Sequence, residues 1–132
     1  MKKTFKELTE IDVAVASLYK KNPELRESKF GLNYSRFYTL NYEPAINELK
    51  NQLKVVAIEH ALEDEKTKAI VRDPQSPRGY AYSKQGEKDV NKGENDLIKK
   101  FNEELIEVKP CISKSVPDMD ESTKELLTGI LI

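Results

Sequence analysis

The stretch from Pro44 to Lys68 reads PAINELKNQLKVVAIEHALEDEKTK and carries the strongest helix pattern in the chain. Its stripe side chains recur at alternating steps of three and four residues, at Ile46, Leu49, Leu53, Val56 and His60. Further apolar side chains widen the stripe on one side, at Val55, Ile58 and Leu62. A stripe this wide is typical of a helix that faces a packed core. We predict a long helix that forms the spine of the fold and buries Leu53 and Val56.

A second helix is predicted from Thr4 to about Lys21. Thr4 and Glu7 have the spacing of a capping box, in which each side chain accepts a hydrogen bond from the other residue's backbone. The apolar positions that follow repeat at helical spacing, at Phe5, Leu8, Ile11, Val15, Leu18 and Tyr19. Asn22 and Pro23 end this helix, since proline is favoured at the start of a new turn.

Tyrosines mark the next helical face. Gly31 is predicted to break the segment before it, and Tyr34, Tyr38 and Tyr42 then follow at intervals of four residues. Pro44 lacks a backbone N–H, so it either kinks this helix or starts a new one.

The middle of the chain is predicted to hold a small β-hairpin. Two short strand-like runs, 69–72 and 79–83, are separated by the turn-forming residues 73–78. Residues 84–95 are polar and contain two glycines, which predicts an exposed loop. A helix is then expected from Asn95 or Asp96 to Val108, where Pro110 ends it.

The C-terminal part is predicted to be extended from 110 to 117, with Cys111, Ile112 and Val116 as packing candidates. It is then predicted to form a short helix over 120–128 before an apolar end.

The predicted fold class is therefore mainly α (α+β): long helices packed as a hairpin or small bundle, a small β-hairpin and an extended C-terminal segment. We expect a single domain over 1–132, in which 1–27 form an N-terminal helix and turn and 28–132 a helical core with a central loop or hairpin insert.

Composition narrows the class of protein. The 132 residues include 22 basic and 23 acidic side chains, which are interspersed and give a net charge of −1. No broad basic surface is implied, so nucleic acid is not an expected partner. A single cysteine rules out an internal disulfide and fits a reducing compartment. The N-terminus lacks an apolar signal region, and no apolar run is long enough to span a bilayer, so we expect a cytoplasmic protein without a membrane partner.

Three stretches of the sequence resemble one group of proteins. They are YSRFYTLNYEPAINEL at 34–49, FNEEL at 101–105 and LLTGILI at 126–132. In this order they resemble small uncharacterised helical proteins encoded by tailed phages and prophages, over about residues 30–132. The resemblance implies a long helical hairpin with a polar insert, and a host-cell cytoplasmic location. It implies no catalytic residues.

The candidate ligand-binding residues are tyrosines and arginines in two places. Tyr34, Arg36 and Tyr38 are able to stack on a ring, or they form the apolar face of a helix or a subunit interface. The hairpin offers a second set, which is either an exposed recognition patch or a solvated turn, at Arg72, Arg78, Tyr80 and Tyr82.

Motifs for catalysis, metal binding or a cofactor are lacking in the sequence. His60 is the only histidine; it acts either as a lone general base beside a carboxylate or as a structural residue on its helix. Cys111 is either a nucleophile or a packing residue. We therefore expect no catalytic site, no metal and no cofactor.

These observations favour a phage-derived accessory protein that acts by protein binding or self-association, most simply as a homodimer, rather than by catalysis. The wide stripe of the 44–68 helix and the second stripe of the N-terminal helix are the surfaces on offer for pairing. One alternative is a binder of a host defence protein or a signalling nucleotide. Another is a small hydrolase that uses His60 and a carboxylate.

The melting temperature should be unaffected by a chelator and by a thiol reductant, because the sequence provides no metal ligand set and no disulfide. Calorimetric scans with and without each reagent test this. A fall of several degrees with either reagent would reveal a bound metal or an intermolecular bridge through Cys111.

Overall fold

The computed structural model describes the backbone of residues 1–67, 70–72, 74–77, 80–82 and 84–132, and the side chains of 1–62, 74–77, 81, 84 and 86–132. The fold is mainly α with a small β-hairpin, as predicted. The chain forms two compact units: unit 1 comprises Met1–Asn47 with Asn102–Ile132, and unit 2 comprises Glu48–Phe101. The elements in chain order are β1 (Lys2–Thr4), α1 (Phe5–Lys21), a 3₁₀-helix (Pro23–Glu27), α2 (Lys29–Phe37), a π-helical turn (Tyr38–Tyr42), α3 (Glu43–Thr67), β2 (Ile70–Arg72), β3 (Tyr80–Tyr82), α4 (Lys84–Asn102), β4 (Leu105–Glu107) and α5 (Glu121–Leu127).

Helix α1 begins at the predicted capping box. The Thr4 hydroxyl accepts a hydrogen bond from the Glu7 N–H at 3.1 Å, and the Glu7 carboxylate accepts one from the Thr4 N–H at 3.1 Å. The predicted stripe is buried within unit 1, at Phe5, Leu8, Ile11, Val15 and Leu18. Strand β1 just before the helix pairs antiparallel with β4, with Lys3 opposite Ile106. The start of the chain is thus tied to the segment that follows α4.

Gly31 lies inside α2, so the prediction that it breaks this segment was wrong. The helix begins one turn earlier, where the Ser28 hydroxyl accepts a hydrogen bond from the Gly31 N–H at 3.2 Å. A Cβ on Gly31 would lie 2.2 Å from the Leu25 carbonyl oxygen and 2.4 Å from that of Arg26. Glycine is required here because the backbone of α2 touches the backbone of the 3₁₀-helix.

The helix does not stop at Pro44. Residues 29–67 are continuously helical, and the turn before the proline widens to a π-helical one in which the Glu43 N–H donates to the Tyr38 carbonyl. Proline has no N–H, and its ring crowds the carbonyl four residues earlier. A widened turn at this place relieves that conflict, so the helical backbone continues through Pro44.

The π-helical turn directs a buried amide toward the C-terminal segment. Asn41 is only 3% exposed, and its Nδ2 donates to the Phe37 and Lys109 carbonyls, each at 3.0 Å. Its Oδ1 accepts from the Lys109 N–H at 2.8 Å. The two bonds between Asn41 and Lys109 resemble the paired backbone hydrogen bonds of a β-sheet, and they fix the segment after β4. We call them the Asn41 clamp.

The C-terminal apolar end packs inside unit 1. Leu127, Ile130 and Leu131 are fully buried, and Gly129 takes a φ of 81° where the chain reverses after α5. The extended segment joins this end by backbone bonds, from the Cys111 N–H to the Ile130 carbonyl and from the Ser113 N–H to that of Leu131. Of the three predicted packing candidates only Cys111 is buried. Extended chain alternates its faces, so Ile112 is exposed between the buried Cys111 and Ser113. Val116, which follows a bend at Lys114 and Ser115, is exposed as well.

Unit 2 contains most of α3, the hairpin and α4. The predicted hairpin is confirmed: β2 and β3 are antiparallel, with Val71 opposite Ala81. Leu53 and Val56 are only half-buried, whereas we predicted them to be buried. The side chains that widen the stripe are exposed, at Val55, Ile58 and Leu62.

Two predictions in the α4 region were wrong. Residues 84–95 belong to helix α4 rather than to a loop, and α4 ends at Asn102, after which β4 replaces the expected continuation of the helix. Glycine weakens a helix but is tolerated where packing requires it. A Cβ on Gly93 would lie 2.7 Å from His60 Nε2, so this glycine allows α4 to approach α3.

Asn41→Ala should lower the free energy of unfolding by about 2–4 kcal/mol, because it removes the clamp and leaves the Lys109 N–H and carbonyl without their partner. Asn33→Ala is the matched control, since the Asn33 amide makes one exposed hydrogen bond, to the Lys29 carbonyl of its own helix. We expect the control to cost less than about 0.5 kcal/mol. Urea unfolding measures both, and equal midpoints for the two variants would contradict the role assigned to the clamp.

Candidate functional site

A pocket of about 330 Å³ opens on unit 1 between four consecutive helical elements. Its lining comes from α1, the 3₁₀-helix, α2 and the π-helical turn, and consists of Tyr19, Arg26, Tyr34, Ser35, Tyr38 and Thr39. We call it the tyrosine pocket. All six residues carry a hydroxyl or a guanidinium, so the lining combines aromatic surface with hydrogen-bonding groups and contains no carboxylate.

Tyr34 is the centre of an aromatic cluster that shapes this pocket. Its ring lies 6.3 Å from that of Tyr19, edge to face at 75°, and 6.3 Å from that of Tyr38, tilted by 60°. Phe37 stacks on it at 23° from the buried side. Such arrangements match the charge distribution of aromatic rings and restrict their movement. The pocket walls are therefore held in place by ring packing.

The Tyr34 hydroxyl is already engaged, because it donates a short hydrogen bond to the Asp12 carboxylate on α1. The pKa of the Tyr34 phenol is raised far above its ordinary value, first by burial and then by the bond to Asp12 and its negative charge. Tyr34 is therefore neutral at physiological pH. It contributes ring surface to the pocket, while its proton is committed to Asp12.

Arg26 lies at the pocket with its guanidinium over an aromatic ring. Its Cζ is 5.5 Å from the centre of the Tyr19 ring, a cation–π distance. Burial raises the pKa of Tyr19, and the charge of Arg26 acts against this rise. In the part of the chain that the structure describes, no carboxylate forms an ion pair with Arg26. The guanidinium is thus positioned by a ring and remains available to an anion.

Four hydroxyls of the pocket are available as well. Tyr19 and Tyr38 are half-buried, Ser35 and Thr39 are exposed, and none of their hydroxyls forms a hydrogen bond with any residue described by the structure. Each hydroxyl is both a donor and an acceptor.

The structure places the predicted ligand-binding residues in different surroundings. Tyr34 and Tyr38 line the pocket, but Arg36 points elsewhere, and its Nε donates to the Cys111 sulfur at 3.4 Å. Sequence reasoning did not assign Tyr19, Arg26, Ser35 or Thr39 to a binding site. The only signal for Arg26 was Gly31, whose missing Cβ lets the 3₁₀-helix lie against α2 and so brings Arg26 to the tyrosines.

The hairpin candidates have a described backbone only in part. Arg72 in β2 is opposite Tyr80 in β3, and Tyr82 is opposite Ile70. The side chains of Arg72, Tyr80 and Tyr82, and the whole of Arg78, lie outside the described residues.

A second surface of interest runs along α3 in unit 2. Val55, Ile58 and Leu62 are 51%, 57% and 61% exposed, and they follow one another at steps of three and four residues. Together with Asn51, one turn earlier, they form what we call the α3 face. A shallow groove of about 320 Å³ adjoins it, lined by Glu48, Asn51, Gln52, Val55, Val56 and Leu97.

The two candidates for catalysis lie in neither place. His60 is half-buried and packs against Gly93 of α4. Cys111 is buried, with Arg36 donating to its sulfur. Among the described residues, no three histidine, cysteine, aspartate or glutamate side chains are placed to hold a metal ion.

Comparisons of this chain with protein-family models, with curated proteins and with solved structures gave no match. None of the helices, as far as their residues are described, is both long and apolar enough to cross a bilayer.

Tyr34→Phe should cost about 1–2 kcal/mol at neutral pH, because Asp12 loses a hydrogen-bond donor in a half-buried position. The wild type should lose stability as the pH rises past about 10, since the unfolded chain releases the phenol proton there while the folded chain keeps it. The variant lacks this contribution, so its stability should depend less on pH in the same window. Melting temperatures at pH 8 and pH 11 measure the difference.

Tyr38→Phe is the control, because its hydroxyl has no described hydrogen-bond partner. It should melt like the wild type at neutral pH. If Tyr34→Phe and the wild type lost stability in parallel above pH 10, the proton held between Tyr34 and Asp12 would not contribute to folding.

Proposed function

We propose that this chain is a non-catalytic accessory protein, of the phage-encoded kind that its sequence resembles, and that it acts by self-association through the α3 face. The observation that carries the proposal is the exposed row of Val55, Ile58 and Leu62. Single exposed apolar residues are ordinary, but a continuous row of large ones marks an interaction surface.

The spacing of the row suits a pair of helices. Asn51, Val55, Ile58 and Leu62 occupy successive seam positions of a heptad pattern, at steps of four, three and four residues. Two copies of the same face would cover each other's apolar side chains about a two-fold axis, the commonest symmetry of soluble assemblies. A seam of three apolar layers is short, so we expect a weak, concentration-dependent dimer.

Charges beside the seam favour a parallel pair of α3 helices. Lys54 flanks the seam on one side and Glu59 on the other, both are exposed, and neither forms an ion pair in the described part of the chain. In a parallel pair, such flanking residues five apart face each other across the seam, so Lys54 of one copy meets Glu59 of the other, twice. In an antiparallel pair, Lys54 would instead face the partner's residues on the same side of the seam as its own Lys54. None of those residues is a carboxylate.

The second surface that the sequence suggests for pairing, the apolar stripe of α1, is already covered by other residues of unit 1. The stripe of α1 is buried within unit 1, and Leu8 and Val15 have no exposed surface at all. We therefore expect the chain to self-associate through α3 alone.

The alternatives have less support. A different protein partner could cover the α3 face, but the Lys54–Glu59 complementarity is specific to a second copy. For a hydrolase, His60 would need to line a cleft with donors, and neither pocket described above includes it.

The charge pattern supplies a decisive test. Lys54→Glu and Glu59→Lys should each weaken the dimer, because each places like charges across both sides of the seam. Mixing the two variants should restore association, since one chain then carries two acidic flanking residues and the other two basic ones, so opposite charges meet on both sides. Light scattering during gel filtration, over a concentration series reaching the millimolar range, measures each variant alone and the mixture.

Ile58→Glu should give a monomer, whereas Val13→Glu should leave the dimer intact. Val13 is the matched control because it is a similarly exposed apolar residue, 60% exposed, but lies on α1. A wild-type mass of one chain at every concentration would refute self-association. A dimer that Ile58→Glu abolishes but mixing does not restore would refute the parallel arrangement.

A further inference from the structure

The tyrosine pocket has unused binding capacity of a definite chemical kind. Within the described part of the chain, one guanidinium without an ion pair and four hydroxyls without a hydrogen-bond partner meet three ring surfaces at a single cavity. We propose that the tyrosine pocket binds a small molecule in which a flat aromatic ring carries a phosphate, with a mononucleotide as the simplest example.

The ring requirement follows from the walls. Tyr19, Tyr34 and Tyr38 supply aromatic surface held by ring packing, and bases or other flat rings stack well on such side chains. An aliphatic ligand would gain only area here, whereas a ring also gains the directional contacts that aromatic pairs prefer.

The phosphate requirement follows from charge and hydrogen bonding. Arg26 presents a planar set of donors that suits phosphate oxygens, and its position over Tyr19 fixes it without neutralising it. The hydroxyls of Ser35 and Thr39 stand in the same lining as further donors. The lining holds no carboxylate, and the Asp12 carboxylate nearby accepts the hydrogen bond of the Tyr34 hydroxyl. Among the lining residues themselves, an anion therefore meets the positive charge of Arg26 and no acidic side chain.

The size of the pocket limits the ligand. Small-molecule sites commonly span about 300–1,000 Å³, and this one, at about 330 Å³, is at the lower end. One ring system with one phosphate group is the expected size, and a dinucleotide would extend out of the pocket. The free hydroxyls accept and donate equally well, so we expect little discrimination between bases.

Isothermal titration of the full chain with a set of matched compounds tests the proposal. AMP and CMP should bind with similar affinity, adenosine and inorganic phosphate should each bind at least about tenfold more weakly, and phenyl phosphate should fall between. Phenyl phosphate binding as tightly as AMP would still support a ring with a phosphate but would remove the nucleoside as the source. Adenosine equal to AMP, or phosphate alone equal to AMP, would overturn the proposal, as would the absence of binding.

Variants locate the site. Arg26→Gln should weaken AMP binding about tenfold, the usual consequence of losing one charge-assisted contact, while leaving adenosine binding unchanged. Arg36→Gln is the matched control, an exposed arginine of the same unit that does not line the pocket. Tyr38→Leu should weaken AMP and adenosine alike, because it removes a ring wall. Circular dichroism melting confirms that each variant folds, and loss of binding in Arg36→Gln rather than Arg26→Gln would exclude this pocket.

Discussion

The Asn41 clamp is the interaction on which unit 1 depends. This unit is built from two parts of the chain that are far apart in sequence, Met1–Asn47 and Asn102–Ile132. Two hydrogen bonds, one donated by the buried Asn41 carboxamide and one accepted by it, join the two parts at the Lys109 backbone, just after the β1–β4 pair. A buried amide is tolerated because every one of these bonds is made; without them its desolvation would be a cost. The π-helical turn brings Asn41 to this position. The same widened turn therefore accommodates Pro44 and joins the two parts of unit 1.

A second constraint, the contact at Gly31, sets the shape of the tyrosine pocket. The backbone of α2 lies so close to the carbonyls of Leu25 and Arg26 that no side chain larger than that of glycine fits between α2 and the 3₁₀-helix. The Ser28 hydroxyl reinforces this corner, accepting from the Gly31 N–H and donating to the Leu25 carbonyl at 2.6 Å. Arg26 is consequently carried on a closely packed corner, although its side chain is exposed. A support that is ordered before binding lowers the entropy lost on binding, which is the physical basis of preorganisation.

Elements with a local cause were predictable from sequence, and those decided by distant contacts were not. The capping box at Thr4 and the alternation around the hairpin turn act within a few residues, so their patterns sufficed. The predictions for Gly31 and Gly93 were wrong because glycine usually weakens a helix. In this fold the missing Cβ instead makes room for the Leu25 carbonyl beside Gly31 and for the His60 side chain beside Gly93. The site was only partly predictable for the same reason. Tyr34 and Tyr38 share a helix face at a spacing of four residues, but Arg26 joins them only through the corner at Gly31.

The two units use their apolar side chains differently, and this difference explains why the two proposals are separate. In unit 1 the stripe of α1 and the C-terminal residues Leu127, Ile130 and Leu131 are buried, which leaves a small polar-rimmed cavity where the tyrosines meet. In unit 2 the row from Val55 to Leu62 is left uncovered by the described part of the chain, and Leu53 and Val56 beside it are only half-buried. A closed core with one shaped, charged opening favours recognition of a small ligand, since geometry and charge are fixed there. An uncovered helix face gains free energy only when another surface removes it from water, so it favours association.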